Sequence, residues 1–148
     1  MPGTFVPMNE TIQKFGYPDS LICAYQHWVV LLRPQQATLG ALVLACTEEV
    51  QSFGELSPAA FAELQLVVSE LEASLKKSFD YDKLNYLMLM MVDPHVHFHV
   101  LPRYQASQQF MSVEFSDPGW PGPPQLGHSA DTNASVCEAV KQLIKGNW

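Results

Sequence analysis

The sequence predicts an α+β fold: an antiparallel sheet of about five strands, a long helix before the penultimate strand, and a C-terminal helix. Three observations carry this. Short β-prone apolar runs cluster before residue 47, an apolar stripe of helical period follows Ser57, and residues 95–101 alternate strictly. With 148 residues, 47% of them hydrophobic, one core suffices, because a domain of this length buries roughly 70% of its unfolded surface.

Asn9 can accept a hydrogen bond from an orphan helical N–H, which predicts a short helix over residues 10–15. Gly16 and Pro18 stop it, and only Ile12 and Phe15 give it an apolar side. Residues 21–25 and 28–32 read as two strands joined through Gln26 and His27. Arg33-Pro34-Gln35-Gln36 interrupts, and residues 41–46 resume as a third buried strand.

Ser57 before Pro58 marks a helix start, because the hydroxyl caps an N–H and proline at the first helical position has none to leave unpaired. Phe61, Leu64, Val68, Leu71, Leu75 and Phe79 form its stripe. Residues 84–92 are almost wholly apolar, as expected of a strand buried on both faces. Asp93-Pro94 breaks the run, and residues 95–101 form a last strand ending before Pro102. Prolines 118, 121, 123 and 124 surround Trp120 and predict an irregular but ordered excursion, either a lid over a pocket or a passive cap on the sheet. Val136, Ala139, Val140 and Leu143 supply the stripe of a closing helix, with Lys141 and Lys145 toward its negative end and Gly146 past it.

A net charge of −7 with eight Lys and Arg excludes a nucleic-acid polymer as partner, since backbone phosphates require basic patches. No apolar stretch approaches the ~20 residues of a membrane span, and the first ten residues lack the pattern of a secretion signal. Cys23, Cys46 and Cys137 are odd in number and widely spaced, as in a reduced, cytoplasmic protein.

Alternate residues of a strand share a face, so His95, His97 and His99 project to one side about 6.6 Å apart, while Val96, Phe98 and Val100 face the core. A lone histidine is usually a satisfied core or surface residue; three in register are an odd way to build a core. Two chemistries can use such a face. A neutral imidazole whose Nδ1–H is held by a carbonyl presents Nε2 as a nucleophile, with a neighbouring His stabilising charge or giving a proton to a leaving group. Alternatively, His residues at i and i+2 can ligate Zn²⁺, although no further His, Asp or Glu cluster completes a shell.

The segment His95-Val96-His97-Phe98-His99-Val100-Leu101, followed by Pro102-Arg103, resembles the signature of the histidine-triad (HIT) superfamily, His-φ-His-φ-His-φ-φ with φ apolar. The resemblance extends more loosely over residues 21–103. It implies one HIT-like domain over residues 1–148: an N-terminal extension (1–18), a HIT core (19–103), and an irregular Pro-rich segment with the last helix (104–148). It further implies hydrolysis or transfer at the α-phosphate of nucleotide phosphoramidates or dinucleoside polyphosphates, through a nucleotidylated histidine. By position, His97 would be the nucleophile, His99 would contact the phosphate or assist the leaving group, and His95 would orient the nucleophile. A homodimer with no catalytic metal or other cofactor is implied as well.

Three departures bear on the substrate. Where members carry a Gly-rich segment with a Gln before the triad, this chain has Met91-Val92-Asp93-Pro94. Arg33 stands where many place an acidic or amide side chain for the ribose hydroxyls, and Gly40-Ala41 where they place a further His. Some other phosphorylated ligand, or nucleotide binding with little turnover, therefore stays open beside the enzyme and metal readings. Arg33 is a substrate-binding candidate for a ligand phosphate, with a solvated loop Arg as the plain alternative. Asn85, in an apolar run, either orients a triad His or satisfies nearby backbone. Arg103 either brings charge toward the phosphate or pairs with an acidic neighbour. His27 and His128 read as surface residues, and Met88, Met90 and Met91 as core packing.

Overall fold

The computed structural model describes residues 8–148; residues 1–7 of the predicted extension lie outside the described residues. In chain order the elements are α1 (Glu10–Lys14), β1 (Leu21–Ala24), β2 (Trp28–Leu32), β3 (Leu42–Cys46), α2 (Pro58–Ser78), β4 (Lys83–Leu87), β5 (His97–Arg103), β6 (Gln108–Phe110), β7 (Val113–Phe115) and α3 (Ala134–Gly146). The fold is α+β, as expected: five strands form one antiparallel sheet in the order β1-β2-β3-β5-β4. No helix among the described residues is long and apolar enough to cross a membrane.

Both faces of the sheet are covered. On one, Trp28, Val30, Leu32, Leu42, Leu44, Val96 and Val100 pack with Val67, Leu71 and Leu75 of α2 and Val136, Val140 and Ile144 of α3. On the other, Val29, Leu31, Val43 and Ala45 pack with Ile12, and Phe15 and Tyr17 close the cluster. Burial of strands on two sides explains the unbroken apolar runs of β2 and β3. The helix starts follow their caps: Asn9 accepts from the Ile12 N–H, Ser57 from Ala60 and Asn133 from Val136.

Several expected boundaries move. The buried face of α2 centres on Ala60, Val67, Leu71 and Leu75, leaving Phe61 exposed against Phe53. Residues 84–92 are not one buried strand: β4 ends at Leu87 and is a half-buried edge strand, and the chain beyond it carries Met91 at 86% and Val92 at 81% exposure. Met91 is therefore not core, whereas Met88 and Met90 pack against it. His95 precedes β5 and does not open it, and the strand runs through Pro102 to Arg103. Proline is accommodated there because β3 begins only at Leu42, opposite Val100, so only β4 flanks β5 beyond that point. The excursion after Arg103 contains the β6–β7 hairpin, and Gly146 lies inside α3 and not past it.

The loop between β2 and β3 is tied by Gln36, whose fully buried amide donates to the Arg33 and Ala41 carbonyls and accepts from the Gly40 N–H. Gly40 sits at φ +86°, and an added Cβ would lie 3.0 Å from the Phe79 ring. Gly40→Ala is expected to lower unfolding free energy by about 1–3 kcal/mol in denaturant titration, since strain and crowding act together.

Candidate active site

β5 sits between β3 and β4 with His99 opposite Val43 and His97 opposite Ala45, so both rings emerge on the face that α1 covers. They meet edge to face, centroids 5.1 Å apart at 78°. Phe15, at the end of α1, packs 5.6 Å from each. Together with Arg33, Lys14, Asp93, Leu126 and the 89–92 segment they line a cavity of about 300 Å³. Both imidazoles are buried, His97 at 1% and His99 at 7% exposure. Met90, in the cavity wall, has φ +47°, a left-handed conformation that is uncommon for a long side chain.

The hydrogen bonds fix the ring tautomers. His97 Nδ1 lies 2.7 Å from the His95 carbonyl. A carbonyl only accepts, so Nδ1 carries the proton, and in the neutral ring Nε2 keeps its lone pair. His99 is reversed: its Nδ1 accepts from Arg33 Nε at 3.3 Å, which places the remaining proton on Nε2. Burial, the Arg33 charge and His97 together lower the His99 pKa to about 4, against a smaller opposing pull from Asp93. His99 is therefore a neutral N–H donor at pH 7, not an imidazolium.

Arg33 is buried, and burial lowers its pKa from the ordinary guanidinium value. Besides His99 it donates to the Gln35 and Leu126 carbonyls, so among the described residues three of its five N–H groups have partners. It supplies local positive charge in a chain of net charge −7. Lys14 and Asp93 form a 2.6 Å ion pair at the rim.

A stability consequence follows from His99. The unfolded imidazole binds its proton near pH 6.5 and the folded one only near pH 4, so the unfolded state holds more protons between these values. Stability is expected to be full above pH 6.5 and to fall as pH drops toward 4, by roughly 3 kcal/mol from this group. Ring NMR titration is expected to place His99 near pH 4 and to move it upward in Arg33→Met.

The remaining candidates lie elsewhere. The His95 ring does not enter the cavity; it faces a separate hollow beside Glu49 and Asn9, while the backbone carbonyl of the residue accepts from His97 Nδ1. Asn85 is brought to Arg103, not to the triad: its Oδ1 accepts from Arg103 Nη1 at 2.7 Å. Arg103 takes its plain alternative, a buried bidentate pair with Asp117. These side chains adjoin a hollow of about 480 Å³ walled by Trp120. The Trp120 turn thus caps the sheet there, while Leu126 of the same excursion reaches the triad cavity. His27, in the β1–β2 connection, lies 3.6 Å from Glu48 and is half-buried, as is His128.

Thr11, Lys14, Phe15, Glu49 and Asp93 were not singled out by the sequence reasoning. Thr11 and Phe15 are four apart and so share a face of α1, but that this face meets the triad is a contact 84 residues distant. Among the described residues no cluster of three or more His, Cys, Asp or Glu is arranged to hold a metal ion.

A five-stranded antiparallel sheet with two adjacent imidazoles on the strand that takes up the second half of a His-φ-His-φ-His segment defines a histidine-triad protein. The model of the HIT domain family matches residues 17–106, and the chain belongs to that family, which includes nucleotide-binding proteins, hydrolases and transferases. None of the curated proteins matches the chain. Among solved structures, the chain is similar to a histidine triad protein from Sinorhizobium meliloti 1021 (22% identity, 96% of each chain covered, TM-score 0.75). It is also similar to one from Bradyrhizobium japonicum (18% identity, 96% of this chain and 98% of that one, TM-score 0.73). A Zn-bound histidine triad family protein from Mycobacterium smegmatis shares 15% identity over 92% and 88% of the chains, with TM-score 0.63. At these identities the likeness is one of fold.

Proposed function

We propose that the protein hydrolyses or transfers nucleotides at the α-phosphate, through a covalent nucleotidyl-histidine on His97. The observation that carries this is the 2.7 Å bond from His97 Nδ1–H to the His95 carbonyl, which leaves the Nε2 lone pair available for attack. Nε2 forms the bond to phosphorus, and the bond from phosphorus to the leaving group breaks with its electron pair. Water or an acceptor hydroxyl then attacks phosphorus and gives its proton to solvent, while the bond from phosphorus to Nε2 breaks with its electron pair returning to the ring. In this reading His99 Nε2–H and the Arg33 guanidinium, which line the same cavity, stabilise charge on the phosphoryl oxygens.

Held neutral, His99 is a hydrogen-bond donor, not a strong acid. That suits an anhydride, whose leaving nucleotide departs as an anion; a phosphoramidate must draw a proton for its amine from water. Arg33 and Lys14 take the part that a Gly-rich segment with Gln plays in other members. The proposal includes a cytoplasmic homodimer without a cofactor.

The test is a turnover screen over nucleotide phosphoramidates, dinucleoside polyphosphates and sugar nucleotides, with His97→Ala as control. Turnover of at least one class, absent from the variant, is expected. Wild-type rates no faster than His97→Ala across the panel reject the enzyme, and tight calorimetric binding without product would assign it to nucleotide binding alone.

A further inference from the structure

We propose that Thr11 and Glu49 are positioning residues for His97, acting through the side chain of His95. The inference rests on the reading of His97 as nucleophile and names two residues that the motif does not contain. Thr11 also precedes the segment 17–106 that matches the family.

His95 lies just before β5, outside the ladder that begins at His97. The peptide after it is tied by the Val96 N–H to the Val50 carbonyl, and side chains hold the other groups of His95. Its ring Nε2 is 2.9 Å from Glu49 Oε2, its ring Nδ1 is 3.0 Å from Thr11 Oγ1, and its backbone N–H donates to the same Thr11 oxygen at 3.3 Å.

For the neutral ring the polarity of these bonds follows from their partners. A carboxylate only accepts, so His95 Nε2 carries a proton. In the neutral ring Nδ1 then holds a lone pair, which takes the Thr11 hydroxyl proton, while the hydroxyl oxygen accepts the His95 N–H. One hydroxyl thus closes a ring between the side chain and the backbone of the same residue, a task that needs a donor and an acceptor together. Glu49 anchors the far side of the imidazole from the turn after β3.

The carbonyl of the same residue lies 2.7 Å from His97 Nδ1, so the setting of His95 about its Cα carries from the ring and N–H to that carbonyl. Which nitrogen of a neutral imidazole bears the proton is set by the bond the other makes. If the His95 carbonyl swings away, His97 can place its proton on Nε2, and the nitrogen that faces the cavity loses its lone pair. Thr11 and Glu49 therefore act on the fraction of His97 poised to attack, not on substrate contact. The outer partners of metal-ligating histidines change affinity or activity by about 10–100-fold when removed, and an effect on the same scale is expected here.

The experiment reads the ring ¹⁵N signals of His97 in the ligand-free protein, beside kcat and KM on whichever substrate the wild type turns over. Thr11→Val and Glu49→Ala are expected to populate the Nε2–H form of His97 and to lower kcat about 10–100-fold with KM within about twofold. Thr11→Ser and Glu49→Gln keep a hydroxyl and an amide oxygen in place and are expected to restore both readouts. The Glu49 side chain is 70% exposed, so its replacement tests the idea without disturbing the core. An unchanged tautomer in Glu49→Ala and Thr11→Val overturns the proposal, as does a kcat loss of the same size in Thr11→Ser. If the wild type turns over nothing, the enzyme reading fails, and the ring signals still decide this one.

Discussion

Replacing His97 by Ala is expected to lower turnover at least about a thousandfold and to remove any covalent intermediate, because the proposed adduct forms on its Nε2 lone pair. Among the described residues only His97 and His99 bring an imidazole to the cavity, and their roles are not exchangeable. His99 presents a proton where His97 presents a lone pair, since one ring faces the Arg33 guanidinium and the other a carbonyl. His99→Ala is accordingly expected to cost less, about 10²–10³ in kcat, the loss of one charge-stabilising donor. Steady-state kinetics on purified variants measures both.

The second large effect lies outside the cavity. Asp117 is fully buried and receives both Arg103 Nε, at 2.6 Å, and Nη2, at 3.0 Å; its Oδ2 also accepts from the Tyr104 N–H. Asn85 and the Gly122 carbonyl take further guanidinium N–H groups. Arg103→Ala would strand a desolvated carboxylate, and such half-pairs destabilise by about 3–5 kcal/mol. A double change of Arg103→Met with Asp117→Leu removes both charges and is expected to cost much less than the single change. Chemical denaturation of the three proteins reads the difference.

The sheet and its histidines were legible because their pattern is local. β2 occupies the expected residues 28–32, and the alternation of residues 95–101 correctly divides Val96, Phe98 and Val100 from His97 and His99. Where local pattern failed, tertiary context had overridden it. The apolar run 84–92 serves two purposes, an edge strand and then the wall of the cavity, and hydrophobicity alone does not separate them. The β6–β7 hairpin was missed because its turn is Met111-Ser112, with φ +50° and +65°, where the usual signal is Asn-Gly. Pro102 read as a strand terminator only because the late start of β3, at Leu42, is invisible in sequence.

The site was half legible for the same reason. Register assigns His97 and His99 to one face, and the Arg33 position emerged from comparison with the family pattern. The partners of His95 did not, because Thr11 and Glu49 arrive from 84 and 46 residues away. Asn85 looked functional as a polar residue in an apolar run, yet its partner is Arg103. A buried amide announces a need for a hydrogen bond without saying whose.

The central claim is that His97 Nε2 becomes bonded to phosphorus during turnover. Acid-free rapid quench of the wild type with an adenosine phosphoramidate and a diadenosine polyphosphate, followed by intact mass and peptide mapping, tests it most directly. The account predicts a single added nucleotide on the peptide carrying His97, absent from His97→Ala. Product formed at full rate with no adduct on His97, or with the nucleotide on another residue, would contradict it.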